Sequence, residues 1–128
     1  MSTPNRILYV DQSTVLDGKL DELRAAMSKL SAFVEANEPR IRSYNVYFTA
    51  DGSRMTVTHE HDDAESLAFH MDVAGPLFQP VGKLIRMMSI DVYGWPGEAV
   101  LQQLQQKAAM LGPAPVTVHE LGAGFARR

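Results

Sequence analysis

Asp51-Gly52 lies between two runs rich in β-branched and aromatic residues, Ile41 to Thr49 and Arg54 to His61, and this arrangement restricts the fold more than any other feature of the chain. An Asp-Gly pair so flanked is a strong hairpin signal, so the two runs read as antiparallel neighbours. Helical spacing lies on either side. Leu20, Leu23, Met27, Leu30 and Val34 recur at three- and four-residue steps, with Asp17 read as the N-cap, Asp21 and Glu22 near the positive end of the dipole, and Lys19, Glu22, Lys29 and Glu35 on a solvated face. Pro39 marks the end of that helix. A second helix is expected from Asp63 to Ala74, capped by Asp62 or Asp63 and closed by Gly75-Pro76, with a short helical turn over Leu77 to Val81.

Ile7 to Gln12 reads as a first strand and Leu84 to Tyr93 as a fourth. The order strand, helix, strand, strand, helix, strand predicts an α+β fold: a ferredoxin-like split βαββαβ unit with both helices on one sheet face. Beyond Trp95-Pro96-Gly97 a third helix carries Leu101, Leu104, Ala108 and Leu111 on one side, and Val116 to Leu121 reads as a short added strand. Gly122 to Arg128 is expected to be a flexible tail. With 128 residues, 45 % of them hydrophobic and 21 % charged, the chain suits one domain spanning 1–128.

Net charge and composition exclude several classes. At −3, with no Lys/Arg cluster beyond Arg127-Arg128, the chain has no footprint for nucleic acid. No cysteine is present, which removes disulfides and thiolate chemistry. No apolar run approaches the roughly 18 residues of a membrane span, and Met1 to Asn5 has no basic region leading into an apolar one, so a cytoplasmic protein is expected. Strands two and four carry large apolar groups at both parities. Leu84, Met88, Ile90 and Val92 oppose Ile85, Met87 and Tyr93, and Tyr44, Val46 and Phe48 oppose Ile41 and Tyr47. Both sheet faces are therefore expected to be covered, one by helices and the other by the sheet of a second copy in a homodimer.

Three of the four histidines fall in one strand-helix junction. The two-residue strand period puts Met55, Val57, His59 and His61 on one face, and helical spacing puts His70 in a stripe with Ala64, Leu67, Met71 and Ala74. The helix packs back on the sheet, so the three imidazoles converge on one cavity, and imidazole is the side chain that titrates near neutrality. His70 reads equally as a buried core histidine bonded to a backbone carbonyl. His59-x-His61 lacks a secure third ligand, so no metal is expected. Nucleophile elbows and phosphate-binding glycine loops do not occur.

The path from Ile41-Arg42-Ser43-Tyr44-Asn45-Val46-Tyr47 through the hairpin to Val57-Thr58-His59-Glu60-His61-Asp62-Asp63, then Ala64 to His70 and Pro76-Leu77-Phe78, resembles the antibiotic biosynthesis monooxygenase family over residues 6 to 95. The resemblance implies the dimeric α/β barrel fold and a pocket between sheet and helices. His70 matches the histidine near the end of that family's second helix. His61 stands at the position of the family's strand-end tryptophan, and Val57 where cofactor-independent members carry an asparagine. Without that tryptophan a heme-degrading activity is not expected, and Trp95 lies after strand four. The activity implied is cofactor-independent oxygenation of an aromatic or polyketide-like compound, with His70 as base, His61 sharing or positioning the proton, and His59, Val57, Leu67, Met71, Tyr44 and Tyr47 as candidate substrate contacts. A non-catalytic small-molecule-binding or interaction protein on the same scaffold is the alternative.

Overall fold

The computed structural model describes residues 5–127. Five strands form one sheet in the order β2-β3-β1-β4-β5, where β1 is Ile7–Val15, β2 Ile41–Phe48, β3 Arg54–His61, β4 Ile85–Tyr93 and β5 Val116–His119. The first four pair antiparallel, and β5 adds in parallel to the free edge of β4. Helices α1 (Leu20–Asn37), α2 (Ala64–Phe78) and α3 (Glu98–Leu111) complete the ferredoxin-like arrangement with its C-terminal helix and strand. Gly52 takes φ +74° in the β2–β3 hairpin, as the Asp-Gly signal requires. Among the described residues no helix is long and apolar enough to cross a membrane.

Several boundaries differ from the sequence expectation, each for a local reason. β1 runs on to Val15 because Ile7, Tyr9, Asp11, Ser13 and Val15 alternate inward, the two polar members included. Asp17 does not cap α1. Gly18 turns the chain at φ +75° and the helix starts after Lys19, which contributes no side-chain cap. Gly75-Pro76 does not close α2, which continues to Phe78 and then a 3-10 turn over Gln79–Lys83. Gly75 has no Cβ to meet the proline ring, and burial of Ala74, Phe78 and Val81 offsets the hydrogen bond that Pro76 cannot donate. β5 stops at His119, two residues short of Leu121.

Two bulges correct the expectation that strands two and four are apolar on both faces. The β1–β4 register shifts between Gln12 and Ser13, so Met87 pairs with Ser13 but Ser89 with Gln12, and the inward set switches parity from Ile85 and Met87 to Ile90 and Val92. A shift between Ile41 and Ser43 likewise turns Ile41 inward, opposite His61. Sequence parity fails because each bulge inserts one residue into the count. The outward face is consequently mixed: Thr56, Thr58, Gln12 and Asp91 share it with Leu8, Tyr47, Met88 and Tyr93.

Candidate active site

Register places the site on one inward row of the sheet. Tyr44 of β2 stands beside His59 of β3, which stands beside Tyr9 of β1. The rings stack across the strands, with centroids 4.2 Å apart for Tyr9–His59 and 5.5 Å for Tyr44–His59. Asp63 caps α2 by accepting the Ser66 N–H at 2.9 Å, which fixes where the helix leaves the sheet and lays His70 over this row, 4.4 Å from the His59 ring centroid. α3 closes the far side. A cavity of about 200 Å³ lies between these elements, walled by Tyr44, His59, His70, Asp11 and Lys107 among mostly apolar neighbours.

Three buried polar groupings surround it. His70 Nδ1 lies 2.9 Å from each oxygen of Glu38, the residue that ends α1, and the Glu38 side chain is almost completely buried. In the second grouping, His59 Nδ1 is 2.7 Å from His61 Nε2, and His61 Nδ1 is 2.7 Å from Ser66 Oγ. Burial pushes His59 well below the usual imidazole range, with repulsion from His70, His61 and Lys107 adding to it. His61 is lowered to about 3, chiefly by burial and then by His70, against the opposing carboxylates of Asp63 and Asp62. Both rings are neutral at pH 7. In the third grouping, Tyr9 Oη donates to Asp11 Oδ2 at 2.7 Å and accepts from Lys107 Nζ at 2.8 Å. Burial, and then the charge of Asp11, raises the phenols of Tyr9 and Tyr44 above their usual value, so both remain hydrogen-bond donors.

The structure brings His70, His59, Val57, Met71 and Tyr44 together on the cavity wall and leaves out three of the expected residues. His61 is fully buried behind His59, its ring centroid 5.8 Å from that of His70, and it does not line the cavity. Leu67 is packed into the core. Tyr47 points to the outward sheet face, since it pairs with Thr56 and not with the His59 row, and it is exposed. His70 is held by a carboxylate rather than by a backbone carbonyl. Among the described residues no group of three or more His, Asp or Glu is placed to hold a metal, and the facing nitrogens of His59 and His61 are spent on each other. Sequence reasoning missed Tyr9, Asp11, Glu38 and Lys107. Asp11 was detectable, because it shares the parity of Ile7 and Tyr9, and so was Lys107, which follows Val100 and Leu104 in the buried stripe of α3. Glu38 carries no local signal.

No protein-family model matches the sequence, and no curated protein is significantly similar to it. Solved structures do match. MupZ from Pseudomonas fluorescens superposes with a TM-score of 0.73 at 19 % identity, over 99 % of this chain and 91 % of MupZ, so the match includes α3. A Caulobacter crescentus protein described as a candidate antibiotic biosynthesis monooxygenase matches 71 % of this chain and 90 % of its own, with a TM-score of 0.62 at 20 % identity. The chain has the antibiotic biosynthesis monooxygenase fold. SnoaB, a cofactor-independent oxygenase from Streptomyces nogalater whose structure is that of a point mutant, shares the fold with a TM-score of 0.61 at 14 % identity, over 73 % of this chain and 95 % of SnoaB. Within this fold the cavity between the sheet and the helices is lined by Tyr44, His59, His70, Asp11 and Lys107 of the present chain.

Proposed function

We propose that the chain is a small-molecule enzyme in which His70 is the general base. The observation that carries this reading is the pairing of His70 Nδ1 with both oxygens of Glu38 at 2.9 Å while the same ring lines an apolar cavity. A carboxylate on Nδ1 accepts that N–H and thereby selects the tautomer whose Nε2 has a free lone pair. Tyr44, kept protonated, supplies a hydroxyl that stabilises an oxyanion formed beside the base. Neutral His59 adds a second polar contact without a competing charge.

The chemistry suited to such a site is removal of a proton from a phenolic or enolic compound of aromatic or polyketide type. The resulting carbanion reacts with dioxygen: a CH₂ group and O₂ yield a carbonyl and one water, with the substrate as the only reductant. No cofactor is needed for that balance, and the SnoaB likeness supports this version of the reading. The role expected for His61 changes accordingly, from a group at the substrate to a buried support that orients His59. Two copies are inferred to pair through the outward sheet faces, where Leu8, Tyr47, Met88 and Tyr93 are exposed. A cytoplasmic setting belongs to the same proposal and suits a chain with no cysteine.

The test is dioxygen uptake with anthrone-type substrates, compared between the native protein and His70→Asn. Loss of at least about 100-fold in kcat with a retained fold is the expected result for removal of a general base. Deuterium exchange into the substrate without dioxygen uptake would leave the base in place and refute the oxygenase. Binding with neither exchange nor uptake would favour the non-catalytic alternative.

A further inference from the structure

Asp11 is a mid-strand carboxylate with almost no exposed surface, and only one of its oxygens is engaged. Oδ2 accepts from Tyr9 Oη at 2.7 Å and faces Lys107 Nζ at 3.5 Å, whereas Oδ1 is buried with no hydrogen-bond partner. Polar groups in protein interiors are almost always paired, so an orphaned carboxylate oxygen is unusual. This one belongs to a residue that lines the cavity, beside Val57 on β3 and across from Lys107 on α3. The acid–base roles assigned above to His70 and Glu38 do not use it.

We infer that Asp11 Oδ1 is a second polar subsite of the cavity, one that accepts a hydrogen bond from an uncharged alcohol hydroxyl of the ligand. The local charges decide the ligand class. A cationic group would be repelled by Lys107, which lies over the Tyr9 and Phe78 rings at 5.1 Å and 4.4 Å from their centroids. An anionic group would be repelled by Asp11 itself. Neutral donors remain, and among them an alcohol O–H, unlike an amide, brings no carbonyl that would need a partner among the surrounding Val57, Phe78, Met71 and Met110. β1 is the central strand, hydrogen-bonded on both sides, so the Asp11 backbone is held in place before the ligand arrives, and a turn of the carboxylate presents Oδ1 to the cavity. This inference rests on reading the cavity as the substrate site and adds that the substrate carries an alcohol hydroxyl distinct from the group His70 deprotonates.

Benzyl alcohol and benzyl methyl ether test it on the full chain, since neither has a proton acidic enough for His70 and only the alcohol donates. Methyl resonances of Met71 and Met110, both in the cavity wall, report binding. The native protein is expected to bind the alcohol about tenfold more tightly than the ether. Asp11→Asn leaves an oxygen for Tyr9 and turns an amide donor to the cavity, so the preference should vanish or reverse, and His70→Asn should retain it. Equal affinities in the native protein would overturn the inference whether or not the variant folds, as would an unchanged ratio in folded Asp11→Asn. If neither compound shifts Met71 or Met110, both this subsite and the cavity as a ligand site are overturned, whereas binding of both with equal affinity removes the subsite alone.

Discussion

His59 and His61 show how burial makes an ordinary residue pH-sensitive. In the unfolded chain both titrate near the usual value of about 6.5. In the fold His61 is lowered to about 3 and His59 is held well below the usual value, each by desolvation first. Above about pH 6.5 both states are neutral and stability is independent of these groups. As pH falls below that value the unfolded chain takes up protons that the native rings refuse, so stability declines until the native rings also titrate, near pH 3 for His61. The expected slope is about 1.4 kcal/mol per pH unit for each histidine. Urea unfolding between about pH 6.5 and 4 checks this, and His61→Gln should remove roughly half the slope contributed by the pair. A slope unchanged in that variant would mean that His61 is hydrated. The sequence showed that these two imidazoles share a strand face with Val57, but not that His59 would screen His61 from the cavity. Ring-to-ring order depends on which nitrogen meets which neighbour.

At the scale of elements, α2 is positioned by its first turn. Asp63 accepts the Ser66 N–H at 2.9 Å and also pairs with Arg40, while Ser66 Oγ meets His61 Nδ1 at 2.7 Å. Asp63→Ala is expected to cost about 0.5–2 kcal/mol, the range for loss of an N-cap, with little from the exposed Arg40 pair. Chemical denaturation measures it. Because Ser66 hangs from the same turn, the variant should also broaden the His61 ring signals in NMR spectra, an effect that a simple surface charge change would not produce. Hairpin and helix spacing made β2, β3, α1 and α2 readable to within a few residues, because turn chemistry and amphipathic period are local properties. The bulges in β1–β4 and β2–β3 were not readable. Neither is marked by Gly or Pro, and each is set by how two strands fit together.

For the whole molecule, the proposed pairing of two copies rests on the outward sheet face. Leu8, Tyr47, Met88 and Tyr93 are exposed there among threonines and other polar side chains, which is the composition of a mixed interface rather than of a dry core. Light scattering at micromolar concentration should return twice the 14.2 kDa chain mass, and Tyr47→Glu should shift the equilibrium toward single chains. A native protein that stays at the single-chain mass would refute the pairing. The sequence by itself determined the ferredoxin-like order, the shared inward face of Val57, His59 and His61, and the presence of His70 in the inner stripe of α2. All of these follow from periods of about two and 3.6 residues. Tertiary structure alone decided that Glu38, 32 residues from His70, would orient it, and that Lys107 of α3 would meet Tyr9 and Asp11 of β1. Those pairings arise where separate elements are pressed together around one cavity, and no periodicity within a single element encodes which residue of another will be opposite.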